Sequence, residues 1–332
     1  MQKKNCSLML VLILATLAGF NIDRAFANSG EHRSRSDKNI AAIGHRNIAG
    51  GMQGNWYSIE GEKRLGETFS AQIESSSKIV NDRVITDYVA RIADNLARNS
   101  DTKIPITVRL LDSEQVTAVT LPGGYQYLSR RLLLQLENED ELASVLARGI
   151  AHTALRSVTR LMTLENSANI GSSSLIYVGS NVPPTDGSKE VISMGMLSHK
   201  RRFELDADYF GVQYVFKAGH DPESFVQVIQ RIGPVIEPTA QAFSPFPQTS
   251  VRLKALHEEI ADVLPRRDAQ VTASPEFEEF KKRIRDWKPA GPCLHQMRRN
   301  LRSSHVAGLC LPFHSFPQAA HCRSQSPRRP FA

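Results

Sequence analysis

The sequence predicts an α+β domain, mainly helical, with one small antiparallel sheet. Two observations carry that expectation. Apolar residues recur at helical spacing through most of residues 56–287, and the period drops towards two only over residues 104–129, where β-branched runs surround a Pro-Gly-Gly turn. The composition, 41% hydrophobic and 23% charged, is ordinary for a packed globular domain.

The chain opens with Lys3 and Lys4 before the apolar run "LMLVLILATLAGF" (residues 8–20), followed by "AFA" at residues 25–27. That order is a secretory signal, expected to be cleaved after Ala27. The run is too short to span a bilayer, which takes about 20 apolar residues. No stable membrane insertion is therefore expected after cleavage, and the mature chain is placed outside the cytoplasm, in a periplasm. Cys6 precedes the apolar run and so cannot serve as a lipoprotein acceptor. Residues 28–54, rich in Ser, Gly, Asn and Arg without periodicity, read as a linker.

Leu65, Phe69, Ile73 and Ile79 mark a first amphipathic helix, and Val84, Tyr88, Val89, Ile92 and Leu96 a second. "IPITVRLLD" (residues 104–112) and "VTAVTL" (residues 116–121) read as strands, and Pro122, Gly123 and Gly124 turn the chain into a third, "YQYLS". Helices resume over residues 130–135 and 139–157. After a Gly, Ser and Pro-rich stretch, a long helix runs over about residues 190–217 and ends at Gly219 and Pro222. Shorter helices complete a domain of residues 55–287.

Residues 288–332 differ in kind. They contain Lys288, Arg298, Arg299, Arg302, Arg323, Arg328 and Arg329 and no acid, which accounts for the whole net charge of +7 and leaves the preceding residues neutral. Without a basic face interleaved with aromatics on the folded part, a nucleic-acid partner is excluded. The tail also holds Cys293, Cys310 and Cys322, but lacks the paired Cys-x-x-Cys spacing of a metal site. A non-native extension, a disordered basic tail and an irregular metal site remain open there.

The chemistry lies in "LASVLARGIAHTALRS" (residues 142–157). A His-Glu-x-x-His pair on a helix works because residues four apart share a face. Two imidazoles grip one metal, and the Glu between them serves the metal-bound water as general base. Here Arg148 and Gly149 stand where the first His and the Glu belong, and only His152 keeps its motif residue. An isolated His on an apolar helix is ordinarily a satisfied core residue.

Three stretches give that histidine a context. "VTLPGGYQYLSRRLLLQLENEDELASVLARGIAH", "KRRFELDADYFGVQYVFKAGHDPESF" and "FSPFPQTSVRLKAL" resemble, in order, the strand, turn and active-site helix, the following helix, and the later Ser-x-His-Pro…Arg segment of the gluzincin metallopeptidases of the CAAX prenyl protease type, in particular their secreted BepA-like branch. The resemblance runs from about residue 56 to 287. It implies a zincin-like domain, zinc as cofactor, and His152 and Glu204 as remnants of the ligand set. It implies supporting roles behind the metal for Asp208 and Arg252, and puts Pro122, Gly123 and Gly124 beside the edge strand that pairs with extended substrate.

The departures fall on the chemistry. Arg148 replaces a ligand, Gly149 the general base and Phe246 the His of the later segment, while His199 and His220 are poorly placed as substitutes, one on another helix face and one past the helix end. Loss of the general base alone costs about 100 to 10,000-fold in rate. Zinc is therefore expected to be absent or weakly bound. The guanidinium of Arg148 is expected to pair with Glu204 and Asp208, an internal salt bridge in place of the metal. The leading expectation is a pseudopeptidase that binds unfolded or extended segments of envelope proteins. An active zinc-dependent metalloendopeptidase of envelope quality control and a decayed gene product stay open as alternatives.

Overall fold

A computed structural model describes residues 39–49, 55–167, 194–233, 244–265 and 274–288. The proposed signal at residues 1–27, the tail from residue 289 and the Gly/Ser/Pro-rich stretch lie outside the described residues. The described residues up to Trp287 fall in one compact unit.

The helices are α1 (Ile59–Ser76), α2 (Arg83–Arg98), α3 (Arg130–Gln135), α4 (Glu139–Ala154), α5 (Ser157–Ser167), α6 (Met194–Lys217), α7 (Glu223–Ile232), α8 (Thr249–Asp262) and α9 (Pro275–Asp286). They match the expected ones with two corrections: Ile79 lies beyond α1 in an isolated bridge to Leu111, and the helix expected through residue 157 stops at Ala154, with the unexpected α5 following a left-handed Arg156. Their starts are chemically marked. Ser58 caps α1, Asp82 caps α2 and Asn138 caps α4, each side chain accepting a backbone N–H of the first turn.

Three strands, β1 (Thr107–Leu111), β2 (Ala118–Thr120) and β3 (Tyr125–Ser129), form a sheet in the order β1-β3-β2. The α+β class is as expected, but the sheet is mixed and not wholly antiparallel. β2 and β3 form the antiparallel hairpin, whereas β1 lies parallel to β3 with Thr107 opposite Tyr125. Periodicity specifies that a segment is a strand and says nothing of its neighbour's direction, which the crossover past the hairpin decides. The outer side of β1 is partly covered, since Val80 donates to the Leu110 carbonyl and Asp112 to the Lys78 carbonyl. Among the described residues, β2 is the open edge.

The two faces of the sheet pack differently. Leu110 and Leu128 belong to the main core, with Leu142, Leu146 and Ile150 of α4 and Ile85, Val89 and Ile92 of α2. Leu111, Val119, Leu121 and Tyr127 form a second cluster against Phe69 and Ile73 of α1. The Tyr127 hydroxyl bonds to Ser70 and Glu74 across that interface. In the core, α4 lies between the sheet and α6, and Gly211 of α6 is a point of close approach. A Cβ there would meet the Phe225 ring at 2.9 Å and the Cα of Arg148 at 3.3 Å.

The linker expectation for residues 28–54 needs correcting over residues 39–49. Arg46 is buried, its Nη2 2.6 Å from Asp101 Oδ2 and its Nη1 donating to Gln213 Oε1 at 2.7 Å. Gln213 passes the network on to Glu259, and the Tyr214 hydroxyl donates to Asp101. A polar, aperiodic composition hides such an anchor because a single side chain carries it. Arg46→Ala strands a buried carboxylate and is expected to lower unfolding free energy by about 3–5 kcal/mol, measured by urea denaturation. A change below about 1 kcal/mol would return this segment to the status of a linker.

Candidate metal centre and substrate cleft

α4, α6 and α8 bring four charged side chains together. Arg148 of α4 donates through Nε to Asp208 Oδ1 at 3.1 Å and through Nη2 to Glu204 Oε2. Arg252 of α8 grips the same Asp208 from behind, Nε to Oδ2 at 2.6 Å and Nη2 to Oδ1 at 2.9 Å. Glu204 and Asp208 are one helical turn apart, so both carboxylates face α4. The expected pairing of Arg148 with both is thus present, and Arg252 completes a chain of alternating charge. His152 sits beside it, Nε2 3.9 Å from Glu204 Oε2.

The electrostatics follow from burial. Burial alone would raise the carboxyl of Asp208, but the guanidinium groups of Arg252 and Arg148 hold it below the usual carboxylate range. Burial, with Arg252 nearby, lowers Arg148 from its ordinary value; it stays a cation. His152 is pushed down to about 3 by burial and by the cation of Arg148. Its imidazole is therefore neutral at physiological pH.

The fit to zinc fails on the donor set. A guanidinium has no lone pair to offer a metal, and it stands on the carboxylate that would be a ligand. Among the described residues no group of three His, Cys, Asp or Glu side chains is placed to hold a metal ion. Of the substitutes considered, His220 bonds through Nδ1 to Asp140 at the far end of α4, 2.7 Å away, and His199 does not line the cleft.

Sequence reasoning missed Gln126. A Cβ on Gly149 would meet the Cδ, Oε1 and Nε2 of Gln126 at 2.7, 2.8 and 2.9 Å. Gln126, on the central strand and 2% exposed, therefore fills the space beside the backbone where the motif's general base would begin. Its Nε2 is buried without a hydrogen-bond partner among the described residues. The signal was present in the strand alternation, which puts Gln126 on the same face as core Leu128.

The Pro122–Gly124 turn is held by packing. Gly123 and Gly124 have φ of 73° and 86°, and a Cβ on Gly124 would lie 2.0 Å from the Pro105 carbonyl oxygen. Gly66 of α1 admits the Pro122 carbonyl in the same way. These residues fix β2 against α1. Just past His152, Arg156 takes a left-handed φ of 54° and ends α4, its Nε on Glu62 at 2.8 Å.

Two cavities run along the open edge of β2. The smaller lies beside His152 and Glu204 and is walled by Phe203, Phe246 and Leu161. The larger is mainly apolar, with Val145, Phe225, Val228 and Ile232 in its lining. Ala118, Arg148 and Phe246 border both. Leu121 donates to Tyr125 and Ser129 to Thr117. By the antiparallel alternation, Ala118 and Thr120 turn their backbone groups away from β3, to the open side.

A helix pair crossing beneath a short sheet, with a cleft along its edge strand and a motif helix at its floor, defines a zincin-like peptidase domain whose centre is occupied by ion pairs. The sequence model of Peptidase family M48, a zinc-dependent family, matches residues 83–260, and the chain belongs to that family. It is 26% identical over 193 residues to the putative beta-barrel assembly-enhancing protease of Vibrio cholerae, and 25% identical over 193 residues to the beta-barrel assembly-enhancing protease of Escherichia coli K12. Each alignment covers 55% of this chain and 40% of the relative. The mitochondrial metalloendopeptidase OMA1 of Schizosaccharomyces pombe is 22% identical over 227 residues, 64% of this chain and 65% of its own. The chain thus spans less than half the length of the beta-barrel assembly-enhancing proteases it matches.

Three outcomes are expected. Arg148→Ala should destabilise the fold by about 2–3 kcal/mol, below the full cost of a broken buried pair because Arg252 still neutralises Asp208; an unchanged melting temperature would dismiss the ion-pair account. Gly149→Glu should cost about 1–3 kcal/mol through overpacking, and Gln126→Ala in the same chain should recover part of it in a double-mutant cycle. For His152 the folded value lies below the unfolded value of about 6.5. Its stabilising share is therefore complete above pH ~6.5 and is lost as pH falls towards about 3. The ring should show no NMR titration near pH ~6.5, and His152→Gln should flatten the acid limb of the stability profile.

Proposed function

We propose that this chain is a non-catalytic member of its peptidase family, which captures extended segments of envelope polypeptides along the edge of β2 without cleaving them. The observation that carries the reading is the guanidinium of Arg148 lying between Glu204 and Asp208, where the family resemblance calls for the first zinc ligand. His152 and Glu204 are then remnants of a ligand set, and Asp208 and Arg252 keep their place behind them as partners of Arg148. Gly149 offers no base, and the space beside it is taken by Gln126.

What remains of the scaffold is suited to binding. An extended segment can add to the open side of Ala118 and Thr120 through main-chain hydrogen bonds, with alternate side chains dropping into the two cavities. The turn at Pro122, Gly123 and Gly124 holds that edge in position. The envelope setting is supported by the signal-like residues 1–27 and by relatives named for beta-barrel assembly.

The test is made on the purified chain. Elemental analysis after dialysis should find zinc far below one equivalent, the same in His152→Ala, and an unfolded substrate such as reduced casein should stay intact with or without chelator. A labelled extended peptide should nevertheless bind saturably. Stoichiometric zinc that disappears in His152→Ala, together with chelator-sensitive cleavage, would establish a working peptidase instead.

A further inference from the structure

Arg148 stands where the two cavities meet, and not all of its hydrogen-bonding capacity is used. An arginine carries five N–H donors. Asp208 takes the one on Nε and Glu204 one on Nη2, and Arg148 makes no other hydrogen bond among the described residues. The Nη1 pair and one Nη2 hydrogen are left over. Nη1, which has no hydrogen-bond partner, is not among the sealed polar atoms of the described residues, and the side chain is 22% exposed. The Nη1 donors therefore open on the cleft.

The charge around them does not oppose an anion. Arg148 and Arg252 balance Glu204 and Asp208. Glu204 is the only acidic residue in the described lining of either cavity. On one side of Arg148 lies the edge of β2 at Ala118, and on the other the apolar hollow formed by Val145, Phe225, Val228 and Ile232. A ligand that fills all three has an extended backbone, an apolar side chain and, next to it, a carboxylate.

We infer that the cleft selects polypeptide segments by a carboxylate set on the Arg148 guanidinium beside an apolar side chain in the hollow. The inference rests on the capture function proposed above and names what is captured. A charge-assisted fork of the kind an arginine makes with a carboxylate gives both strength and orientation. The carboxylate has two sources, the C-terminus of a chain or an Asp or Glu side chain within it, and the site chemistry is common to both. Replacing a metal ligand with arginine thus converts a centre that would polarise a peptide carbonyl into one that holds an anion.

Fluorescence anisotropy on the full chain separates the possibilities. The probes are labelled peptides of alternating Val and Thr: one ending in Phe with a free carboxylate, the same peptide amidated, and the amide with one internal Glu. The free acid, the Glu peptide or both should bind about ten to a hundredfold more tightly than the neutral amide, and the advantage should shrink with added salt. Ile232→Glu, which puts an anion at the hollow without touching the ion-pair chain, should abolish the preference in a protein whose circular dichroism is unchanged. Arg148→Lys, which keeps the charge and loses the fork, should retain only part of it. Equal affinity for all three peptides overturns the carboxylate inference and leaves edge capture standing. Failure of every peptide to bind removes the capture function and this inference with it.

Discussion

Glu204 and Asp208 lie one turn apart on a helix packed into the middle of the domain, 9% and 2% exposed. A buried carboxylate without a counter-charge costs several kcal/mol, so something cationic must stand opposite them. In the family that resemblance and sequence matching assign, zinc has that role. Here the cation is covalently part of the chain. Arg148 projects from the facing helix onto both carboxylates, and Arg252 closes the arrangement from α8. The packing of α4 on α6, and with it the cleft above them, depends on this balance.

A cation carried on a side chain differs from a bound ion in ways that shape everything around it. It cannot be chelated or exchanged, and its planar fork fixes direction as well as charge. It also takes up volume on the face of α4 that would otherwise present an imidazole. The neighbouring position answers in the opposite sense. Gly149 withdraws its side chain, and Gln126 rises from the sheet to fill the space. His152, still in its motif place, is left neutral in a site dominated by arginine. Placing a histidine at Arg148 alone would therefore leave Gly149 without a base and Gln126 in the space a base would need.

Much of this was legible in the residues. Helical spacing located most helices, because they bury a single apolar stripe, though it missed α5, and the charges at Arg148, Glu204 and Asp208 announced their own pairing once the two helices were placed face to face. What could not be read was whatever depends on a neighbour distant in sequence. The parallel direction of β1 is one case, since alternation is blind to strand polarity. Arg46 is another: one side chain in a polar, aperiodic segment finds Asp101 and Gln213 only after the chain has folded. Gln126 lay between the two, its burial readable from alternation and its place beneath Gly149 not. Arg252 was assigned by resemblance alone, and its bidentate grip on Asp208 gives that assignment a physical basis.

The central claim is that the guanidinium of Arg148 occupies the metal centre. Crystals of the chain grown with excess zinc, and measured at wavelengths either side of the zinc absorption edge, test it most directly. No anomalous peak is expected between His152 and Glu204, with the guanidinium resting on Glu204 and Asp208. A strong peak ligated by His152 and Glu204, with Arg148 swung out into the cleft, would contradict it.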